Sequence, residues 1–297
     1  NLDGMETVGP LLPFNVTGGK DITLTIRGNG QTVSLGSNGS ILTLGAEPGS
    51  SLTLILQDIT HEGTDSNDAP VVKVNSGGNL ELKVGSSLTG NTSSNDGGGM
   101  YVSGGTVTMS GGAVSGNTTS GQSTNGGGVY VASGEFTMTG GEISGNTASG
   151  GSAHGGGVYV ASGGKFTLSG EGKVTGNSTP NSGDGGDKGG GGVFIAGGGT
   201  FTMTGGEVSN NKSGYDGGGV FVRGNFNMSG GEISGNQASY GGGVYIRGGT
   251  FKMTGGVIYG SEAENGSKAN KASSAAVYGG TSPGSTSTTI DKRQVTP

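Results

Sequence analysis

The chain has 297 residues, of which 73 are glycine and none is cysteine, and its formal net charge is −6. Glycine at this density excludes a mainly helical fold, because each glycine inside a helix costs about 1 kcal/mol relative to alanine. The lack of cysteine excludes disulfides and thiolate metal sites. The acidic balance argues against nucleic acid as a partner, and no apolar run approaches the ~20 residues that insert across a membrane.

The N-terminal part of the chain carries only a weak repeat. Residues 1–41 show no clear repeat, and we expect a cap and a first irregular coil there. The chain begins with Asn1 rather than Met, so we interpret the whole sequence as part of a longer chain. Short apolar-polar alternations then appear in a fixed order, at 42–44, 52–54 and 58–60 (LTL, LTL and DIT). Alternation over such short segments predicts β-strands.

From residue 88 to 261 the repeat becomes explicit. Each unit has a glycine run, an apolar-x-apolar strand, an alternating strand such as EFTMT, and a third short strand that ends near Gly-Asn. The first strands of these units begin at Met100, Val129, Val158, Val193, Val220 and Val244. One such unit cannot bury its apolar face, but stacked units can.

The sequence therefore predicts an all-β fold, a right-handed parallel β-helix solenoid with three strands per coil and about eight to ten coils. The repeats occupy 42–261, and 262–297 form a C-terminal coil or cap with a polar tail.

Alternation along each strand assigns the inward and outward residues. Phenylalanine and methionine recur at the inward positions of the second strand, and valine or isoleucine at the inward position of the third. A polar column follows the third strand and consists of Asn91, Asn117, Asn146, Asn177, Asn211 and Asn236. Stacked asparagine amides can hydrogen-bond from coil to coil, so we predict a structural ladder.

The middle residue of each first strand is predicted to face outward and to form an exposed aromatic stripe. The residues of this stripe are Tyr101, Tyr130, Tyr159, Phe194, Phe221 and Tyr245. Two interpretations stay open, since the rings can stack to shield the sheet or can bind a glycan or a protein as an exposed apolar patch. The variable loops emerge along one edge, where solenoids often bind ligands, so Asp216 and Tyr240 join the ligand-binding candidates.

Catalysis is the main alternative to binding, because β-helices also host polysaccharide lyases and glycoside hydrolases. Such enzymes need paired carboxylates, or a base beside metal-binding acids. Glu207 and Glu232 occupy equivalent positions of adjacent coils, but their column also contains Lys173 and resembles a solvated surface. The loop with Asp184 and Asp187 lacks the nine-residue calcium repeat. We predict no catalytic residues, no cofactor and no metal.

The unit at 126–146, GGGVYVASGEFTMTGGEISGN, resembles the repeats of large β-helix surface proteins from gut bacteria. It is also similar to the repeats of polymorphic outer-membrane proteins, whose GGA[IVL] motif has its counterpart at 126–129. The resemblance covers 88–261 and, more loosely, 42–261. It implies a bacterial secreted or cell-surface adhesin or scaffold that binds a host or microbial glycan or surface protein, with a purely structural stalk as a third alternative.

Overall fold

The structure is a computed structural model, and it describes residues 6–11, 13–180, 188–260, 267–273, 275–280, 289–290 and 295–296. These residues form a parallel β-solenoid of about nine turns with almost no helix. Each strand pairs in parallel with its equivalent one coil away, which confirms the predicted fold class. Right-handed winding stays a prediction from the rule for parallel connections.

The strands lie on three long sides and one short side of the solenoid. The first side contains β2 (Phe14–Val16), β4 (Leu42–Ala46), β6 (Val72–Asn75), β14 (Val158–Val160), β18 (Val193–Ile195), β21 (Val220–Val222), β23 (Val244–Arg247) and β25 (Val277–Gly280). The second and third sides contain β1 (Glu6–Val8), β7 (Gly78–Leu82), β8 (Ser87–Thr89), β15 (Gly164–Leu168), β16 (Lys173–Thr175), β26 (Thr289–Ile290) and β27 (Val295–Thr296).

Seven strands continue around one or two corners of the solenoid. They are β3 (Asp21–Leu35), β5 (Ser51–Glu62), β10 (Met100–Ser115), β12 (Val129–Ser144), β19 (Thr200–Ser209), β22 (Asn225–Ser234) and β24 (Thr250–Tyr259). The short fourth side, which the sequence analysis did not predict, contains β9 (Thr92–Ser93), β11 (Thr118–Thr119), β13 (Thr147–Ala148), β17 (Ser178–Thr179) and β20 (Lys212–Ser213).

The core consists of columns of like side chains stacked along the solenoid. Phe166 pairs in register with Phe136 and Phe201, and the ring centroids lie 5.1 and 4.8 Å apart. These rings are fully buried, as are the methionines beside them. Because burying one such side chain contributes about 1.5–3 kcal/mol, each added coil stabilises its neighbours.

The asparagine ladder is confirmed and is longer than predicted. Asn146 Nδ2 donates to Oδ1 of Asn177 at 3.0 Å and to the carbonyl of Val114 at 2.8 Å, and this pattern repeats from coil to coil. Asn67 and Asn270 extend the ladder by one residue at each end. The sequence pattern misses both because neither lies three residues after an apolar core residue of a third strand, as the other members do.

One early coil differs from the prediction at its third strand. We predicted this strand at 58–60, and Ile59 is buried in the core at 2% exposed. The residue that pairs in register with Val33 and Leu88, however, is His61, which is only 3% exposed. The prediction is wrong by two residues because an apolar-polar pattern favours isoleucine over histidine. The interior of the solenoid therefore contains a titratable side chain, that of His61.

Candidate ligand-binding face

The outward residues of the first side form a continuous stack of rings, which we call the aromatic ladder. Its members are Tyr101, Tyr130, Tyr159, Phe194, Phe221, Tyr245 and Tyr278. Successive ring centroids lie between 4.7 Å, for Phe194 and Phe221, and 5.5 Å, for Tyr245 and Tyr278. Tyr278 is a seventh ring that the predicted stripe did not include. Stacked pairs of this kind contribute about 0.5–1.5 kcal/mol each beyond the area they bury.

The aromatic ladder is half-buried at both of its ends and buried between them. The half-buried rings are those of Tyr101, Tyr130 and Tyr159 at the N-terminal end and that of Tyr278 at the C-terminal end. The buried ones are Phe194, Phe221 and Tyr245, which are 2%, 0% and 9% exposed. The prediction of an exposed stripe is therefore wrong for these three rings, which form a small hydrophobic cluster outside the main core.

The residues that precede the glycine runs lie beside the aromatic ladder, and two of them contact its rings. These residues, which we call the edge column, are Asp96, Asn125, His154, Gly189, Asp216 and Tyr240. Glycine follows each of them, and at Gly155 the backbone φ of +66° folds the edge column back toward the first side. The ring of His154 consequently stacks on that of Phe194, with the centroids 4.4 Å apart.

The two edge-column candidates from the sequence have different environments. Asp216 is only 1% exposed, so the prediction that it lines an open surface is wrong, because the backbones of Gly189 and Tyr240 pair with it on both sides. Tyr240 is 41% exposed and its ring lies 5.5 Å from that of Tyr278. Tyr240 is therefore open to a partner, whereas Asp216 belongs to the support beneath it.

The tyrosine hydroxyls of the half-buried N-terminal end stay protonated. Burial first, and the nearby Asp96 carboxylate second, raise the pKa of Tyr101, Tyr130 and Tyr159 above the ordinary tyrosine value. Burial also raises the pKa of the Asp96 carboxyl, against the opposing effect of hydrogen bonds from Asn125. The hydroxyls can thus donate hydrogen bonds as neutral groups.

Stacking determines which parts of the rings a ligand can reach. The planes of Tyr101 and Tyr130 lie 1° apart, and those of Tyr130 and Tyr159 lie 12° apart, so Tyr130 has a ring on each face. Only ring edges and hydroxyls inside the aromatic ladder can meet solvent. Tyr101 differs, because its neighbour in register on the N-terminal side is Lys73 rather than an aromatic residue.

A pocket opens at this N-terminal end of the aromatic ladder, and we call it the Tyr101 pocket. Its volume is about 350 Å³, and it is lined by Asp68, Pro70, Lys73, Asn75, Asn95, Asp96, Tyr101 and Ser103. Only Tyr101 was a candidate from the sequence. The signal that could have located the pocket is the change from tyrosine to lysine in the outward column, since it ends the stack.

The described residues contain no cluster of three or more histidine, aspartate or glutamate side chains that could hold a metal ion. Asp184 and Asp187 lie outside the described residues. Glu207 and Glu232 are neighbours in register as predicted, and Glu232 forms an ion pair with Lys268 at 3.1 Å.

Comparison with protein families, with curated proteins and with solved structures finds no match to this chain. Arguments about function therefore rest on the geometry of this chain. Within the described residues, no helix has the length and apolar character needed to span a membrane.

Proposed function

We propose that this protein is an extracellular adhesin or scaffold module of a bacterial cell surface, and that it binds a glycan or a surface protein along the first side of the solenoid. The observation that carries the proposal is the half-buried N-terminal end of the aromatic ladder, where Tyr101, Tyr130 and Tyr159 combine apolar ring edges with neutral hydroxyls. Tyrosine is enriched at binding interfaces because it offers both properties.

The rigidity of the solenoid supports this proposal. Asparagine hydrogen bonds and parallel strands hold each coil against the next, so the rings and the edge column are already ordered before a ligand arrives. A preordered surface loses little conformational entropy on binding, and more of the contact energy becomes affinity. A repeated surface of this kind suits a ligand that is itself repetitive or extended.

A purely structural spacer is the second candidate, and the burial of Phe194 and Phe221 favours it. Rings that are fully covered stabilise the rod and contact no partner. On this alternative the whole aromatic ladder serves as a second core, and the half-buried rings are its less covered ends.

The experiment is a screen of the purified chain against arrays of glycans and of bacterial and host surface proteins. The test variant combines Tyr130→Ser and Tyr159→Ser, and the control is Tyr259→Ser on the third side. We expect the test variant to bind at least 10-fold more weakly than the wild type and the control to bind equally, with circular dichroism unchanged in both. Equal binding by the test variant would remove Tyr130 and Tyr159 from the binding face.

Other outcomes of the screen separate the rival functions. No binding to any array would favour the spacer. Release of reducing ends or unsaturated products from polysaccharides would favour a carbohydrate-active enzyme, because an adhesin releases no product.

A further inference from the structure

We propose that the Tyr101 pocket is a sugar subsite, in which the N-terminal face of Tyr101 stacks on a neutral pyranose ring and the surrounding polar side chains bind its hydroxyls. This inference rests on the proposed function and deepens it by naming the class of ligand and the place where it binds.

The first argument is the ring face of Tyr101 that meets Lys73 and not another ring. Tyr130 covers one face of Tyr101 with the ring centroids 5.1 Å apart, and no other ring of the described residues stacks on the opposite face. The π-face of an aromatic ring carries partial negative charge and attracts the positively polarised edge of a partner. The C–H groups on one side of a pyranose ring supply such an edge, so Tyr101 can serve as a stacking platform.

The second argument is the polar lining of the pocket. Carboxylates accept hydrogen bonds from hydroxyls, whereas asparagine amides both donate and accept, and Asp68, Asp96, Asn75 and Asn95 supply both types around Tyr101. A sugar hydroxyl likewise donates and accepts. This combination of one ring and several planar polar groups therefore matches a pyranose better than an apolar ligand.

The third argument is that the lining is held in place before a ligand binds. Asp96 Oδ1 accepts a hydrogen bond from the backbone N–H of Asn125 at 2.7 Å, and Asn95 Nδ2 donates to the carbonyl of Asp68 at 2.6 Å. These bonds connect adjacent coils and orient the two side chains. The volume of about 350 Å³ falls in the usual range of preformed ligand pockets.

The charge of the lining selects neutral sugars. Two carboxylates, Asp68 and Asp96, face one ammonium group, that of Lys73, so the pocket has a net negative charge when all three are ionised. Lys73 forms no ion pair among the described residues, and its ammonium can donate to a sugar oxygen. Uronic and sialic acids would meet repulsion from the carboxylates.

The test uses isothermal titration of the whole chain with neutral oligosaccharides of glucose, mannose and galactose, and with oligogalacturonate and sialyllactose as acidic probes. We expect binding of at least one neutral probe and none of the acidic ones. Tyr101→Ala should weaken that binding at least 10-fold, whereas Tyr101→Phe should change it less than 3-fold because the stacking face remains.

A second variant keeps the test independent of folding. Lys73→Tyr adds one more ring to the aromatic ladder and puts a stacked ring, in place of the flexible lysine, on the N-terminal face of Tyr101. It should therefore preserve or raise the unfolding midpoint and abolish sugar binding. Unchanged sugar binding by Lys73→Tyr, binding of acidic probes alone, or no binding of any sugar by the wild type would overturn the inference.

Failure of the sugar subsite is distinguishable from failure of the proposed function. If Lys73→Tyr binds as the wild type does while the Tyr130→Ser and Tyr159→Ser variant does not, the first side binds ligand elsewhere and only the subsite is lost. If a surface protein binds and no sugar does, the subsite is again lost alone. If neither array gives binding, both proposals fail.

Discussion

Asn146 donates both its backbone N–H and its side-chain N–H to one acceptor, Oδ1 of Asn177, each at 3.0 Å. Asn177 in turn donates to Asn211 at 3.0 Å and to the carbonyl of Ile143 at 2.9 Å. All three asparagines are fully buried. The side-chain amide of Asn177 therefore makes four hydrogen bonds at a buried position where water cannot replace them.

Asn177→Ala should destabilise the protein by about 3 kcal/mol or more, because buried groups without partners cost about 1–3 kcal/mol each. The substitution removes the acceptor for Asn146 and the donor for Ile143. Urea denaturation followed by circular dichroism measures the change. Asn227→Ala is the matched control, since Asn227 is exposed on the second side. Equal midpoints for the two variants would contradict a stabilising role for the ladder.

The buried middle of the aromatic ladder should behave as core. Phe221 is stacked between Phe194 and Tyr245, with centroids 4.7 and 5.0 Å away, and is fully buried. Phe221→Ala should therefore cost about 3–5 kcal/mol in the free energy of unfolding, as for other buried phenylalanines. Tyr130→Ala should cost less, since Tyr130 is half-buried. If chemical denaturation gives the same loss of unfolding free energy for both substitutions, the prediction that the more buried ring contributes more to stability is wrong.

The stacked columns were predictable from the sequence because equivalent residues recur at nearly constant offsets. Phe136, Phe166 and Phe201 pair in the predicted register, and their burial follows from period-2 alternation. The covering of Phe194 was not predictable in this way. His154, which stacks on it, comes from a loop whose length and composition change from unit to unit.

The Tyr101 pocket escaped the sequence analysis for a related reason. Its walls combine Asp68 and Asn75 from coils where the repeat is weak with Asn95 and Asp96 from a variable loop. No periodic signal connects these residues, so only their positions in three dimensions bring them together. Tyr101 was predictable as an outward ring, but the end of the ring stack there depends on Lys73 next to it.

His61 should make stability depend on pH. Burial lowers the pKa of His61 to about 4, below its ordinary value of 6.5. Between these values the unfolded chain binds a proton that the folded chain does not, so stability decreases as the pH falls from about 7 to 4. The full effect is about 3 kcal/mol, since one pKa unit corresponds to about 1.4 kcal/mol.

His61→Leu isolates this effect from other titrating groups. Leucine matches the register neighbour Leu88 and carries no titratable group. We expect the free energy of unfolding of His61→Leu to exceed that of the wild type by an amount that grows from pH 7 to pH 4.5, as measured by urea denaturation at several pH values. A difference that stays constant with pH would show that His61 does not titrate as its burial requires.

The glycine runs should be needed for the close approach of adjacent coils. A Cβ placed on Gly156 would lie 2.4 Å from the carbonyl oxygen of Ser178 and 2.5 Å from that of Gly191, both of them backbone atoms that cannot move without disturbing the strands. Gly156→Ala should therefore lower stability by about 1–3 kcal/mol, the usual cost of overpacking. Gly197→Ala is the control, because its Cβ would meet nothing within 4 Å and its φ is not in the left-handed region. Thermal unfolding of both variants distinguishes two explanations of the glycine content. If glycine serves only to make the chain flexible, Gly156→Ala should stabilise the protein through the lower entropy of its unfolded state. If glycine is needed for close packing of the coils, Gly156→Ala should destabilise the protein.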